Sequence, residues 1–427
     1  MTALDPVPIH ITPSRAGRIL CCVEGMSLGH VAKAATVCEA LARRGAELHI
    51  SVPQAHHKWF ARVDATLVHS DVVDSSTFYD RFKAGLPPYD SQTLTGYLEQ
   101  DAALISTVRP DLVLSEFRMT AIEVARSKDV PTIALTEATT IPTFPFSSAA
   151  VPDAHVKPAW MPPAILKRLQ STPPGRRVLD QIVADNVAPW QEALKAFGLP
   201  QPENFFELVG SADLCLINDL PGLVDAPPRP GRDIYTGPLL YDFPGAEAFS
   251  LPARTDRLRA YITGGTQGTR QGTAGLEALC LDLLEAGWEV FLSGGNRLSD
   301  WSLDHANLHF LGFVDESELF PEIDLVVHPG GLMTAYRAMA FDLPQLLLPT
   351  HANQHYLCEA LEVHKLGVML RKRDRKTSKV RRAVRRLTTD ADIRAAVNSW
   401  GETCRRSDGA ETSADAIMEF AARKQAA

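Results

Sequence analysis

A chain of 427 residues carries too much apolar material for one ordinary core, and 45% hydrophobic with 22% charged residues is the balance of a folded globular protein. The formal net charge of −8 and a pI near 5.9 speak against a broad electrostatic footprint for nucleic acid. No apolar run approaches the ~18 residues of a membrane span, and three early prolines, Pro6, Pro8 and Pro13, interrupt any secretory h-region, so a cytoplasmic protein without an integral membrane segment is expected.

The elements follow in chain order. "RILCCVE" (18–24) reads as a buried strand, Gly29 to Arg44 as a helix closed by Gly45, and "ELHISVP" as a second strand. Strand, helix and strand within so short a span form a βαβ unit, which calls for a parallel sheet covered by helices. The pattern continues with "ATLVHS" (65–70), a helix from Ser91 to Val108, "DLVLSE" (111–116), a helix from Thr120 to Lys128 and "PTIALT" (131–136). From 141 to 202 prolines and large apolar side chains mix, Phe144, Phe146, Trp160, Met161 and Trp190 among them. Such a segment reads equally as a covering loop with two helices or as the wall of a substrate pocket over the strand ends.

"SADLCLIND" (211–219) returns to strand, and the proline- and glycine-dense run after it reads as the interdomain linker. Alternation resumes with "LRAYITGGTQG", a helix from Thr273 to Ala286, "WEVFLSGG", "LHFLGFV", "IDLVVHPGG", a helix to Phe341, "QLLLPT", a helix from Asn353 to Lys365 and "GVMLRK". The fold class is therefore α/β with two doubly wound, Rossmann-like halves facing each other across a cleft. The expected boundaries are 1–235 for an acceptor-binding domain with a variable region at 141–205, 236–256 for the linker, 257–405 for a donor-binding domain, and 406–427 for a terminal helix.

Seven scattered cysteines with no C-x-x-C pair suit small core residues of a reduced protein. The basic run from Arg371 to Lys376 reads as a solvated loop and helix start, or as a contact for an anionic ligand or surface. Three glycine-bearing turns, Gly264-Gly265-Thr266, Gly294-Gly295-Asn296 and Gly330-Gly331, fall at strand ends of the second half, where helix N-termini offer free N–H groups to a diphosphate. Neither a P-loop nor a well-placed G-x-G-x-x-G is present.

The stretch "HFLGFVDESELFPEIDLVVHPGGLMTAYRAMAFDLPQLLLPTHANQHYLCEALEVHKLGVML" resembles the donor-binding signature of family 1 glycosyltransferases, the nucleotide-sugar-dependent GT-B group. "CVEGMSLGHVAKAATVCEALARRGAELHISVP", "RPDLVLSEFRMTAIEVARSKDVPTIAL" and "SADLCLIND" with "IYTGPLL" extend the similarity through much of the chain, nearest in style to bacterial glycopeptide and macrolide members.

The resemblance implies His30 as the base that deprotonates the acceptor hydroxyl and Glu116 as its partner, at a position where plant members hold an aspartate. A helix N-terminus disfavours the imidazolium, which suits a base. It further implies donor contacts from Gly265, Thr266, Gly295, His328, Gly330, Gly331, Thr334, Arg337, Asn353 and Gln354. Acceptor contacts are expected from Met26, Phe144, Phe146 and Trp160. The chain departs from the family at Pro329, where many bacterial members have a second, phosphate-binding histidine, and at Arg337, where many have a ribose-binding glutamate. Asn353 replaces the aspartate of an Asp-Gln pair. A proline has no N–H to offer, and a guanidinium only donates.

The activity so implied is hexosyl transfer from a nucleotide diphosphate sugar, UDP- or dTDP-linked, to a hydroxyl of a largely apolar small molecule, as in natural-product and antibiotic biosynthesis. Inversion is expected, with no cofactor and no metal. Alternatives are a donor-site-degenerate homologue acting as a scaffold or auxiliary partner, a glycolipid glycosyltransferase, and an epimerase or hydrolase of the same fold. The sequence does not fix the oligomeric state, a homodimer included.

Overall fold

The computed structural model describes residues 17–83, 86–145, 172–244, 246–265, 270–294, 303–371 and 374–426. Seven strands make the first sheet: β1 (Arg18–Val23), β2 (Glu47–Val52), β3 (Thr66–His69), β4 (Leu112–Glu116), β5 (Thr132–Thr136), β6 (Leu214–Ile217) and β7 (Asp233–Tyr235), in the order β3-β2-β1-β4-β5-β6-β7. The second holds β8 (Arg259–Thr263), β9 (Glu289–Ser293), β10 (Leu308–Leu311), β11 (Leu325–His328), β12 (Gln345–Leu347) and β13 (Gly367–Met369), in the order β10-β9-β8-β11-β12-β13. Every ladder in both sheets is parallel. The α/β architecture read from the sequence, two doubly wound sheets, is thus present.

Continuous apolar runs such as "ILCCV" and "LVV" form central strands because helices cover both faces of a parallel sheet. Ile19, Cys21 and Val23 point into one core layer and Leu20 and Cys22 into the other. All seven cysteines are buried and free.

Several elements differ from the sequence reading. β7 lies in the proline- and glycine-dense run after β6, just ahead of the expected linker: Asp233 anchors Arg229 through both carboxylate oxygens, and the short segment pairs with the edge of β6. β10 stops at Leu311, so Gly312–Asp315 forms a loop at the cleft rather than more strand. Helix Pro173–Ala196 runs through Pro189, and short helices Ser75–Lys83 and Phe205–Val209 flank the cleft.

The terminal helix Gly409–Ala426 packs on the first domain. Ala414, Ile417 and Phe420 join the core around β1 and β2, while Glu411 and Asp415 pair with Arg43 and Arg44 at the end of helix Leu28–Arg43. Of the basic run at 371–376, Arg375 donates to the carbonyls of Pro349 and Leu370 and Lys376 is exposed, while Lys372 and Arg373 lie outside the described residues.

Candidate functional site

In both sheets the strand order reverses beside the first strand, between β1 and β4 and between β8 and β11. Neighbouring βα loops leave in opposite directions there and open a crevice, which is where ligands enter such folds. His30 stands in the first turn of the helix after β1 and Glu116 at the end of β4, while the turns after β8 and β11 carry Gly265 and Gly330. All four line one cleft of about 1040 Å³ between the two halves.

His30 sits in the first turn of helix Leu28–Arg43, with Nδ1 2.6 Å from Oε2 of Glu116. The two atoms are at ion-pair distance with the ring turned off the hydrogen-bond line. The chain kinks directly after Glu116: Phe117 has φ 58°, a left-handed conformation that a bulky residue adopts at a cost of about 1–3 kcal/mol. That kink lays the Phe117 ring flat on the imidazole, 4.9 Å between centroids. One strained residue thus fixes both the carboxylate and the ring plane of its partner.

Lys33, one turn along the same helix, was not among the residues singled out from the sequence. Its Nζ lies 2.6 Å from Glu116 Oε1 and donates to Glu137 Oε1 at 3.0 Å. Burial pulls this ammonium toward neutrality, but the two carboxylates outweigh it and hold the group above its ordinary range. Burial pushes Glu137 up, whereas Lys33 and the amide of Asn353 bring it down to about 2. Asn353 Nδ2 donates to Glu137 Oε2 at 2.7 Å, and Thr139 Oγ1 donates to Asn353 Oδ1 at 2.5 Å. A continuous polar chain therefore runs from His30 through Glu116, Lys33 and Glu137 to a residue of the opposite domain.

A second crossing joins the domains beside it. The hydroxyl of Tyr336 donates to Asp219 Oδ1 at 2.6 Å and accepts from the N–H of Leu220 at 3.0 Å, while Ala138 N–H donates to Asp219 Oδ2 at 2.6 Å. Burial raises the Asp219 carboxyl to about 6.

On the donor side, Gly330 has φ 95°, and a Cβ there would stand 2.5 Å from Cys358 Sγ and 3.0 Å from the Gln354 carbonyl. Gly331 caps helix Leu332–Ala340 at ordinary φ −66°, and a Cβ on it would meet nothing within 4 Å. The first-turn N–H groups of that helix have no intrahelical partner and open onto the cleft. Gly265, at φ 70°, lies across from the ring of Pro329, so a turn from each strand end meets over the crevice. Thr334 donates to Glu316 at 3.0 Å, and burial raises that carboxyl to about 6 against the pull of Arg337. Gln354 accepts from the N–H and hydroxyl of Thr350 at 3.0 and 2.8 Å.

Three residues expected at the ligand are held by protein partners: His328 and Arg337, which still border the cleft, and Phe144, which does not. His328 is wholly buried, with Nε2 2.8 Å from the Gln345 side-chain oxygen and Nδ1 accepting from Gly330 N–H at 3.1 Å. Burial depresses its pKa to about 4, so a neutral ring shapes the turn from beneath and both nitrogens are spent. Arg337 donates to the Tyr241 carbonyl at 2.8 Å and to Asp242 at 2.9 Å, with Asp315 3.6 Å away. A guanidinium buried to this degree needs neutralising partners, and the linker and the 312–315 loop supply them. Phe144 packs on Tyr356 across the domain junction, 5.2 Å between rings, outside the cleft wall.

Met26 does line the cleft, together with Phe78, Tyr79, Tyr89, Trp190 and Phe205. Thr266, Gly295, Phe146 and Trp160 lie outside the described residues. Lys33 and Glu137 left a trace in the sequence: a lysine on the otherwise apolar face "VAKAATV", and an acid at the end of a buried strand, as Glu116 is.

No family model matches the chain. It is 25% identical over 386 residues to a PGL/p-HBAD biosynthesis rhamnosyltransferase of Mycobacterium bovis (strain BCG), a match spanning 90% of this chain and 83% of that protein. Its fold is that of the glycotransferase of kitacinnamycin, at TM-score 0.67 and 18% identity, covering 96% of this chain and all of the other. The spinosyn rhamnosyltransferase SpnG, solved with thymidine diphosphate, superposes at TM-score 0.61 and 16% identity, covering 95% of this chain and all of that one.

Proposed function

We infer, from the premise that this chain is a nucleotide-sugar-dependent glycosyltransferase of the GT-B fold, that it moves a sugar onto a hydroxyl of a largely apolar small molecule with inversion at the anomeric carbon. The observation that carries the reading is the His30–Glu116 pair facing the Gly330–Gly331 turn across one cleft. With Nδ1 held toward Glu116, Nε2 is the nitrogen that accepts the acceptor's hydroxyl proton. The freed oxygen attacks the anomeric carbon from the first-domain side, the bond to phosphate breaks toward the second domain, and the Glu116 carboxylate steadies the imidazolium. Attack and departure on opposite faces give inversion.

The leaving diphosphate gathers negative charge, which the first-turn amides of helix Leu332–Ala340 oppose without reorganising. Those donors supply what a divalent cation otherwise would, and metal independence is part of the proposal. Pro329 removes one N–H from the turn, so the load falls on Gly331 and the residues after it.

The acceptor wall is aromatic: Tyr89 meets Trp190 edge to face at 5.8 Å, and Phe205 lies 6.1 Å from Phe117. Such walls favour planar or lipid-like acceptors over small polar ones. The relatives named for PGL/p-HBAD biosynthesis and for kitacinnamycin lend support to a glycosyl acceptor of this kind, and the thymidine diphosphate bound by SpnG makes dTDP-sugars the first donors to try. Calorimetry of the protein against UDP, dTDP, GDP and ADP, bare and sugar-linked, tests the reading. Micromolar binding of one nucleotide class supports it, and silence from a folded sample across the panel refutes it.

A further inference from the structure

The polar chain across the cleft assigns unusual roles to its last two members. Asn353, on the donor-side helix Ala352–Val363, has both ends of its amide engaged: Nδ2 donates to Glu137 and Oδ1 accepts from Thr139. It therefore orients its neighbours. Glu137 is differently placed. Its carboxylate offers about four acceptor sites, of which Lys33 and Asn353 take one each. The side chain is 15% exposed and forms part of the cleft wall. Lys33 also touches Glu116, so Glu137 stands one ammonium away from the base pair, where a sugar undergoing transfer must lie.

We propose that Glu137 is the sugar-positioning residue of this enzyme: it accepts a hydrogen bond from one hydroxyl of the transferred sugar, while Lys33 and Asn353 aim it from the two domains. The assignment deepens the glycosyltransferase reading and rests on it. Sugar hydroxyls are donors, and an ionised carboxylate is the strongest uncharged-donor partner a protein can present. The amide oxygen of Asn353, which already accepts from Thr139, is neutral and so a weaker acceptor than the Glu137 carboxylate. The arrangement also ties the site to the domain junction, because Asn353 of the donor-side helix meets Glu137 of the first domain.

The test compares wild type with Glu137→Gln on two kinds of probe: dTDP and UDP alone, and their glucose and rhamnose conjugates together with analogues in which single hydroxyls are replaced by hydrogen. Glu137→Gln is expected to bind the bare nucleotides within twofold of wild type. It should bind the complete nucleotide sugar at least tenfold more weakly, and match wild type on the one deoxy analogue that lacks the hydroxyl it reads. Glu137→Asp keeps the charge opposite Lys33 and so protects folding if the amide variant fails; the same hydroxyl-selective loss is expected from its shorter reach.

An equal loss on every deoxy analogue, or a loss on bare nucleotide as large as on nucleotide sugar, would mean that Glu137 only holds the domains together and would overturn the assignment. Wild type that binds no nucleotide overturns the glycosyltransferase reading, and the assignment with it. Wild type that binds nucleotide but gains nothing from the sugar overturns the assignment alone.

Discussion

Replacing each glycine of the 330–331 pair by alanine separates folding from ligand binding at adjacent positions. At Gly330 the new Cβ would stand 2.5 Å from the buried Sγ of Cys358 and 3.0 Å from a helix carbonyl, at φ 95°. The unfavourable dihedral costs about 1–3 kcal/mol and the overpacking a similar amount, about 2–6 kcal/mol together. Gly330→Ala should therefore lower the urea midpoint markedly or prevent soluble expression. At Gly331 the dihedral is ordinary and a Cβ meets open space, so Gly331→Ala should keep the wild-type midpoint. The methyl group nevertheless projects where a diphosphate must approach the helix amides. A tenfold or greater loss of nucleotide affinity by calorimetry is expected, about 1.4 kcal/mol or more. A Gly331→Ala protein that melts like wild type and binds nucleotide equally well would refute the placement of the diphosphate at this turn.

Other consequences are as direct. His30→Ala should reduce kcat by roughly 10²–10⁴ in a transfer assay while nucleotide affinity stays put, because the proposed mechanism has the imidazole act on the acceptor's proton. Lys33→Met strips the shared cation from two buried carboxylates, Glu116 and Glu137, and should cost roughly 3–5 kcal/mol in urea unfolding. Asp219→Asn removes a group whose folded pKa, about 6, lies above its usual 3.8 through burial. Between pH 4 and 6 the folded wild type keeps a proton that the unfolded chain has released. Its stability relative to the variant should therefore fall as pH rises through that window, as read from paired denaturation curves.

Much of the fold was legible because each βα unit is a local pattern: an apolar run, a turn residue and a helical stripe. β7 escaped notice because three residues among prolines make no periodic signal, and its place is decided by pairing with β6, with a local ion pair from Arg229 to Asp233 holding the turn before it. The candidate site was legible where a residue type and its place at a strand end coincide, as for His30, Glu116, Gly330 and Gly331. It was not legible where side-chain direction decides. Position alone makes Arg337 a ligand contact, yet the folded chain turns it onto Tyr241 and Asp242. His328 likewise faces a glutamine beneath the turn.

By itself the sequence determined two parallel sheets, the glycines that turn at their edges and the histidine at the start of the first helix, since these depend on neighbours a few residues away. Only the tertiary structure decided that Lys33 joins Glu116 to Glu137 and that Asn353 meets them from the other domain. Those contacts link residues more than a hundred positions apart in some cases, and burial makes each charge seek a partner that no local pattern names.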